Sequence, residues 1–181
     1  MRFLFFLLLI TFYHSFAFSL SCTGVLKKVP YSVCFTPGAN CESMIVENIQ
    51  GAKKSIYVQA YSFTSKPIAE ALVRASKNNI DVKVILDKSQ FNKKTYSASR
   101  FFMNQKIPLW KDYKVTIAHN KTMIIDKKTV ITGSYNFTRS ALAKNSENVL
   151  IITNSKLARE YFQNWKKRLK ASQAIKENLS Y

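Results

Sequence analysis

Histidine is nearly absent from this 181-residue chain: there are two, and His14 falls in an N-terminal segment that reads as a leader to be removed. A mature chain carrying His119 alone cannot bring two imidazoles to one site, nor complete the common cysteine–histidine zinc patterns. Acidic residues are also scarce, 10 Asp and Glu against 28 Lys and Arg, a formal net charge of +18. That excess favours polyanions, whether DNA, RNA or anionic lipid surfaces, although a basic exported protein can carry such charge for solubility alone. No internal repeat and no low-complexity segment occurs, which excludes two copies of a catalytic motif in one chain. Long apolar runs are missing too. The strictly apolar stretch Phe3 to Ile10 is shorter than the ~20 residues a membrane span requires, though Phe12, Tyr13, Phe16 and Phe18 prolong its apolar character.

Arg2 precedes that stretch and small residues follow at Ala17, Ser19 and Ser21, the pattern of a secretory leader, with an uncleaved N-terminal anchor as the alternative. Either reading puts the functional part outside the cytoplasm, in the periplasm, at the envelope or secreted, with the N-terminus as a route to membrane association. The chain then divides into a leader or anchor at 1–21, a linker at 22–29, one domain at 30–175 and a tail at 176–181. Losing Arg2 leaves 27 basic against 10 acidic residues, a net +17. The roughly 160 residues that remain suffice for one domain with a proper core. Of the cysteines, Cys34 and Cys41 flank the turn-forming Thr36-Pro37-Gly38 and could pair in an oxidising compartment. Cys22 is left over. The run Ser19-Leu20-Ser21-Cys22 lacks the leucine expected three positions before a lipidated cysteine, which favours a free or intermolecular thiol.

Hydrophobic spacing predicts alternating strands and helices. Ser32 to Phe35 reads as a strand, and Cys41 to Lys54 as a helix with Met44, Ile45, Ile49 and Ala52 on one face. Ser55 to Phe63 reads as a strand, followed by a helix capped by Thr64 or Ser65 with Pro67 in its first turn and ending near Lys77-Asn78-Asn79. Asp81 to Leu86 is β-branched and strand-like, and a helix is expected around Ser97 to Asn104. Further strands are expected at Val115 to Ala118, Thr122 to Ile125, Thr129 to Thr132 and Val149 to Thr153, with Asp126-Lys127-Lys128 as a turn. The last helix is expected to start with Ser155 as N-cap and to carry Leu157, Tyr161, Trp165 and Leu169 on one stripe. Strands alternating with helices predict an α/β fold, a mixed β-sheet flanked by helices.

Chemistry concentrates between residues 119 and 136, which read H-x-K-x4-D-x6-G-S-x-N. His119 can act as nucleophile when neutral and as acid when protonated. In a strand, period two would put Lys121 on the same face, its ammonium aimed at the same phosphate. Ser134 and Asn136 share that spacing and can donate hydrogen bonds to non-bridging oxygens as charge builds. Asp126 and Glu147 are the acids available to fix an imidazole tautomer, and Asp126 could instead support the lysine or a dimer seam. Gly133 would let the backbone approach a phosphate closely. Singly, each residue has an ordinary structural role to play; jointly, their spacing points to phosphodiester chemistry.

The same run resembles the HKD signature of the phospholipase D superfamily at every signature position. Gly133 to Thr138, Asn145 to Asn148, and Val58 to Phe63 are similar to the small single-motif bacterial endonucleases of the Nuc type, and the likeness covers about Pro30 to Trp165. The resemblance implies a symmetric homodimer in which each subunit donates one motif to a shared site. It also implies a phosphohistidine intermediate, a second histidine that protonates the leaving oxygen, and no metal or other cofactor.

Substrate is less fixed than reaction type. Basic clusters at Lys27-Lys28, Lys53-Lys54, Lys93-Lys94, Lys127-Lys128 and Lys166-Lys167-Arg168 favour nucleic acid. So do aromatics interleaved with cations at Tyr96, Arg100, Phe101, Phe102, Trp110, Lys111 and Tyr113, although Phe101, Phe102 and Trp110 suit core packing equally. The expectation is a nonspecific DNA endonuclease, preferring single strands and open to RNA. An envelope phospholipase or phosphatidyltransferase, and a non-catalytic DNA-binding envelope protein, are the alternatives.

Overall fold

The computed structural model describes residues 28–92 and 97–175. The leader, Cys22, Lys93-Lys94, Tyr96 and the tail at 176–181 lie outside the described residues. Eight strands form one mixed sheet: β1 (Tyr31–Thr36), β2 (Ser55–Ala60), β3 (Asp81–Asp87), β4 (Leu109–Asp112), β5 (Lys121–Ile125), β6 (Thr129–Gly133), β7 (Glu147–Thr153) and β8 (Gln173–Ala174). Their spatial order is β1-β7-β6-β5-β2-β3-β4-β8. The run β2-β3-β4 is parallel, as helical crossovers require, and the other pairs are antiparallel.

Helices α1 (Cys41–Gln50), α2 (Lys66–Lys77), α3 (Ala98–Asn104) and α4 (Arg139–Ala143) pack on one face, and α5 (Ser155–Ala171) on the other. Their starts follow from side-chain caps. Asn40 Oδ1 accepts the Ser43 N–H at 3.0 Å, and Ser65 Oγ accepts that of Ile68 at 3.2 Å. On the first face Ile45, Ile49, Ile68 and Leu72 meet Ile56, Val58, Met123 and Ile131. On the second, Ala158 and Trp165 cover Tyr57, Ile124 and Val130, and the Trp165 indole donates to the Val58 carbonyl at 3.0 Å. The central strand β2 is therefore buried along its whole length, with Tyr57 and Gln59 covered as well as the expected Ile56, Val58 and Ala60.

Most expected elements are present, with informative departures. No strand forms at Val115 to Ala118. Its β-branched residues favour one, but β2 and β6 already occupy both edges of β5. The segment is tied instead through the Ala118 N–H to Asp87 and the Val115 carbonyl to Lys88. Strands β4 and β8 escape the periodicity, being four and two residues long. Helix α1 stops at Gln50, short of Lys54, and Asn154 rather than Ser155 caps α5, accepting the Leu157 N–H at 2.9 Å. Cys34 and Cys41 are bonded to each other, joining the edge strand β1 to the first turn of α1.

Candidate active site

Strand directions gather His119, Lys121, Ser134, Asn136 and Glu147 at one end of the sheet. Strands β1, β2 and β6 end there, while β5 and β7 begin there. His119 lies just before β5, in the irregular link from β4, rather than within a strand. Two contacts fix that link: the Asn120 carbonyl accepts the Tyr61 N–H at 2.8 Å, and the Ala118 N–H donates to Asp87 Oδ2 at 2.7 Å. Asp87 is fully enclosed at the end of β3. Burial pushes its carboxyl up, but hydrogen bonds from Ser89 and Ala118, with Lys88 nearby, outweigh this and hold it below the usual range.

Lys121 opens β5 and is 7% exposed, whereas the imidazole of His119 is exposed. The lysine ammonium donates to the His119 carbonyl at 3.3 Å and stands 5.3 Å from the centre of the Tyr61 ring. That same ring lies 4.7 Å from the imidazole. Tyr61 thus forms the floor on which imidazole and ammonium meet, bringing them together without the strand periodicity expected of them. Burial lowers the Lys121 pKa, and the charge of Glu147 opposes that shift only in part. The same charge coupling links the lysine to β7, two strands away.

The loop after β6 keeps an alternating pattern although it is not a strand: Ser134 is exposed and Asn136 half-buried, while Tyr135 and Phe137 are in the core. The Ser134 hydroxyl donates to Glu147 Oε2 at 2.5 Å and accepts the Asn148 N–H at 3.0 Å. Glu147 Oε1 accepts from the Asn145 amide at 2.9 Å. The Thr36 hydroxyl secures this corner, accepting the Glu147 N–H at 3.2 Å and lying 3.0 Å from the carbonyls of Ala141 and Asn145. Asn136 Oδ1 is buried without a hydrogen-bond partner. Burial, followed by the charges of Glu42 and Glu147, drives the Tyr135 phenol pKa upward, so it stays neutral as an anchor.

Two expected roles change. Asp126 stands at the far end of β5, where its carboxylate accepts the N–H groups of Lys53, Lys54 and Ser55 at 2.7–2.9 Å. It is not part of the His119 cluster. The closeness that Gly133 permits is to protein: at φ +151° its missing Cβ would sit 2.2 Å from the Asn148 carbonyl oxygen. Three contributors went unrecognised in the sequence, namely Asp87, Tyr61 and Thr36. A carboxylate ending a β-branched strand was the one available sign of the first. Among the described residues, the His119 imidazole makes no side-chain hydrogen bond, and Glu147 serves Ser134 and Asn145 instead.

An exposed imidazole, a buried ammonium and a hydroxyl–carboxylate pair at the open end of an α/β sheet suit phosphodiester chemistry. A family model described as "Cardiolipin synthase, PLD-like domain" matches residues 45–169. Phospholipase D of Rickettsia prowazekii is 44% identical over 150 residues, covering 83% of this chain and 73% of that protein. The crystal structure of Nuc from Salmonella typhimurium, a phospholipase D family member, superposes with a TM-score of 0.77 at 34% identity, over 83% of this chain and 100% of that one. NucT from Helicobacter pylori shares the fold, with a TM-score of 0.73 at 24% identity over 82% of this chain and 100% of that one. The chain belongs to the phospholipase D superfamily.

Proposed function

We propose that this chain is an exported, metal-independent endonuclease that cleaves DNA at a site shared between two copies of itself. The observation that carries the reading is His119: it is exposed, makes no side-chain hydrogen bond among the described residues, and is the sole histidine outside the N-terminal leader. One imidazole attacks phosphorus, forming a P–N bond as the P–O bond to the leaving sugar breaks. The second subunit's His119 gives its proton to that oxygen. It then takes a proton from water, whose oxygen displaces the first imidazole and releases the phosphate monoester. Lys121, Ser134 and Asn136 are suited to the non-bridging oxygens, where loss of one donor typically costs ~10²–10³ in rate. Gly133 and Glu147 serve by placing Ser134 and Asn148 beside them.

The net charge of +18 supports a nucleic-acid backbone as substrate, and backbone contacts carry little sequence information. Phe102 is enclosed in the core and Phe101 packs against it, so neither serves for base stacking. Tyr113, 44% exposed on the link leading to His119, is the better candidate for stacking unpaired bases. A second reading, a lipid phosphodiesterase, draws support from the Rickettsia relative named phospholipase D. Purified protein and its His119→Ala variant, assayed in EDTA on plasmid DNA, single-stranded DNA, RNA and phosphatidylcholine vesicles, separate the two. We expect nucleic acid to be cut only by the wild type, with rates falling steeply between low and moderate salt. Lipid cleavage with nucleic acid untouched refutes the nuclease reading, and equal activity of both proteins refutes a catalytic role for His119.

A further inference from the structure

The active site occupies one end of the sheet, and the other end gathers cations. Tyr31 opens β1 there, Ser55 opens β2 and Thr129 opens β6, while β5 and β7 finish there with Ile125 and Thr153. Backbone contacts tie the links at that end into one surface. Asp126 accepts the N–H groups of Lys53, Lys54 and Ser55. The Lys128 carbonyl accepts the Asn154 N–H at 2.8 Å, and the Pro30 carbonyl that of Thr153 at 3.0 Å. Lys28, Lys53, Lys54, Lys127, Lys128 and Lys156 stand on these links, all exposed. Of the acids nearby, Asp126 is committed to its three amides and Asp81 to Tyr57 and Lys83, so Glu47 and Glu160 are left to offset these lysines. On the α5 flank, Lys127 and Lys166 both stand over the Phe162 ring, at 4.7 and 5.3 Å. Two like charges drawn to one ring are an arrangement that an anion relieves.

These lysines are not part of the phosphodiester site. Strand β2 crosses the sheet in six residues, about 20 Å at the usual rise, and His119 lies beyond its far end. The surroundings fit an anionic bilayer better than a second length of nucleic acid. The chain enters the domain here, through Lys28 to Pro30, and the apolar stretch Phe3 to Ile10 lies upstream. Tyr31 comes next and is 72% exposed, the most open large apolar side chain among the described residues. A ring with a polar tip suits the boundary between water and lipid. An apolar attachment and a polybasic patch reinforce each other at an anionic surface.

We propose that this end of the domain docks on an anionic lipid surface and holds the active site away from it, facing the aqueous side. With His119 about 20 Å above the headgroups, the imidazole does not reach the phosphates of the supporting bilayer, and the substrate arrives from solution. The inference stands independently of the nuclease reading, because it concerns the opposite end of the molecule.

Binding of the full chain to phosphatidylcholine vesicles measures whatever its N-terminal residues contribute. Vesicles containing roughly one-third phosphatidylglycerol add the charge-dependent part, which should weaken as salt rises. A lysine near such a surface is worth about fivefold in affinity. Lys53→Gln, Lys54→Gln, Lys127→Gln and Lys128→Gln together should therefore remove a preference of up to roughly 500-fold. Lys114→Gln, Arg139→Gln and Lys144→Gln, at the site end, should leave most of it. A wild type without the preference, or a four-lysine variant that keeps it, overturns the proposal. Acetylation of the unmodified protein on the mixed vesicles needs no variant. Lys53, Lys54, Lys127 and Lys128 should be protected, with Lys114 and Lys144 still reactive. The reverse pattern, or no protection at either end, refutes the docking. Single-stranded DNA that shields the same four lysines of His119→Ala protein as strongly as the vesicles do would give the surface to a polynucleotide, which also refutes it. Cleavage plays no part in these outcomes: a protein that docks in this way and leaves DNA intact keeps the inference and loses the nuclease reading.

Discussion

Replacing Asp126 by alanine should destabilise the protein while sparing its chemistry, even though the residue sits inside the signature run. Its Oδ1 accepts the N–H groups of Lys54 and Ser55 at 2.7 and 2.9 Å, and its Oδ2 that of Lys53 at 2.9 Å. Of these amides, those of Lys53 and Lys54 are exposed and can rehydrate at small cost. Ser55 is 5% exposed, so its amide loses a charge-assisted bond without a ready substitute. Such a bond is worth roughly 1.5–3 kcal/mol, and with the two weaker losses the total comes to about 3 kcal/mol. In a domain of this size that lowers the melting temperature by about 6–12 °C. Asparagine keeps an oxygen for Lys54 and Ser55 and should lose only about 1 kcal/mol. Burial raises the Asp126 pKa, but the three N–H groups and Lys128 outweigh it and hold it below the usual range. The stabilisation is therefore present above about pH 4 and lost as pH falls through the lowered folded value. Asp126→Ala should flatten that acid limb. Thermal melting, together with specific activity measured well below the transition, decides the matter. An unchanged melting temperature with a hundredfold loss of turnover would show that Asp126 takes part in the chemistry, and its assignment to a purely structural role would be wrong.

Gly133→Ala puts a methyl group 2.2 Å from the Asn148 carbonyl oxygen, at a φ that L-residues rarely adopt. It should cost at least about 2 kcal/mol in chemical denaturation and displace Ser134 from Glu147, lowering turnover as well. The depressed Lys121 pKa predicts an alkaline fall in activity at lower pH than an ordinary lysine would give. Glu147 raises that pKa, so Glu147→Gln should move the alkaline limb to lower pH, which a pH–rate profile reads directly. The same shift costs stability while Lys121 is charged, a penalty relieved as pH climbs from the folded towards the unfolded value. Cys34 and Cys41 stand seven positions apart, and closing so short a loop contributes about 2.5 kcal/mol on chain-entropy grounds. Cys34→Ser with Cys41→Ser should melt correspondingly earlier. It should also weaken turnover through Thr36, which follows Cys34 by two residues and holds the Glu147 backbone.

The sequence made the reaction class readable because the HKD signature is a local pattern, set by one hairpin and the loops at its end. The layered fold was readable for a similar reason, since strands β2, β3 and β5 and helices α1, α2 and α5 each carry a strong apolar period. What stayed hidden depends on neighbours distant in the chain. Val115 to Ala118 has strand propensity but leads into β5, whose two edges are already taken by β2 and β6, whereas β4, with its charged and aromatic residues, pairs because β3 offers an edge. Asp126 occupies a catalytic-looking position, yet the direction of β5 carries it away from His119. Tyr61 and Asp87 lie 58 and 32 residues before His119 and reach it only through the sheet order. Tertiary placement overrode local spacing in each case.

Co-expression of wild-type and His119→Ala chains in varied proportions is the most direct test of a site shared by two imidazoles. If each dimer holds one centre that needs both histidines, mixed dimers are dead and activity follows the square of the wild-type fraction. An equal mixture then retains about a quarter of full activity. Activity that tracks the fraction itself, about one half at equal mixing, would mean that each chain works alone, and a centre built from two histidines would be ruled out.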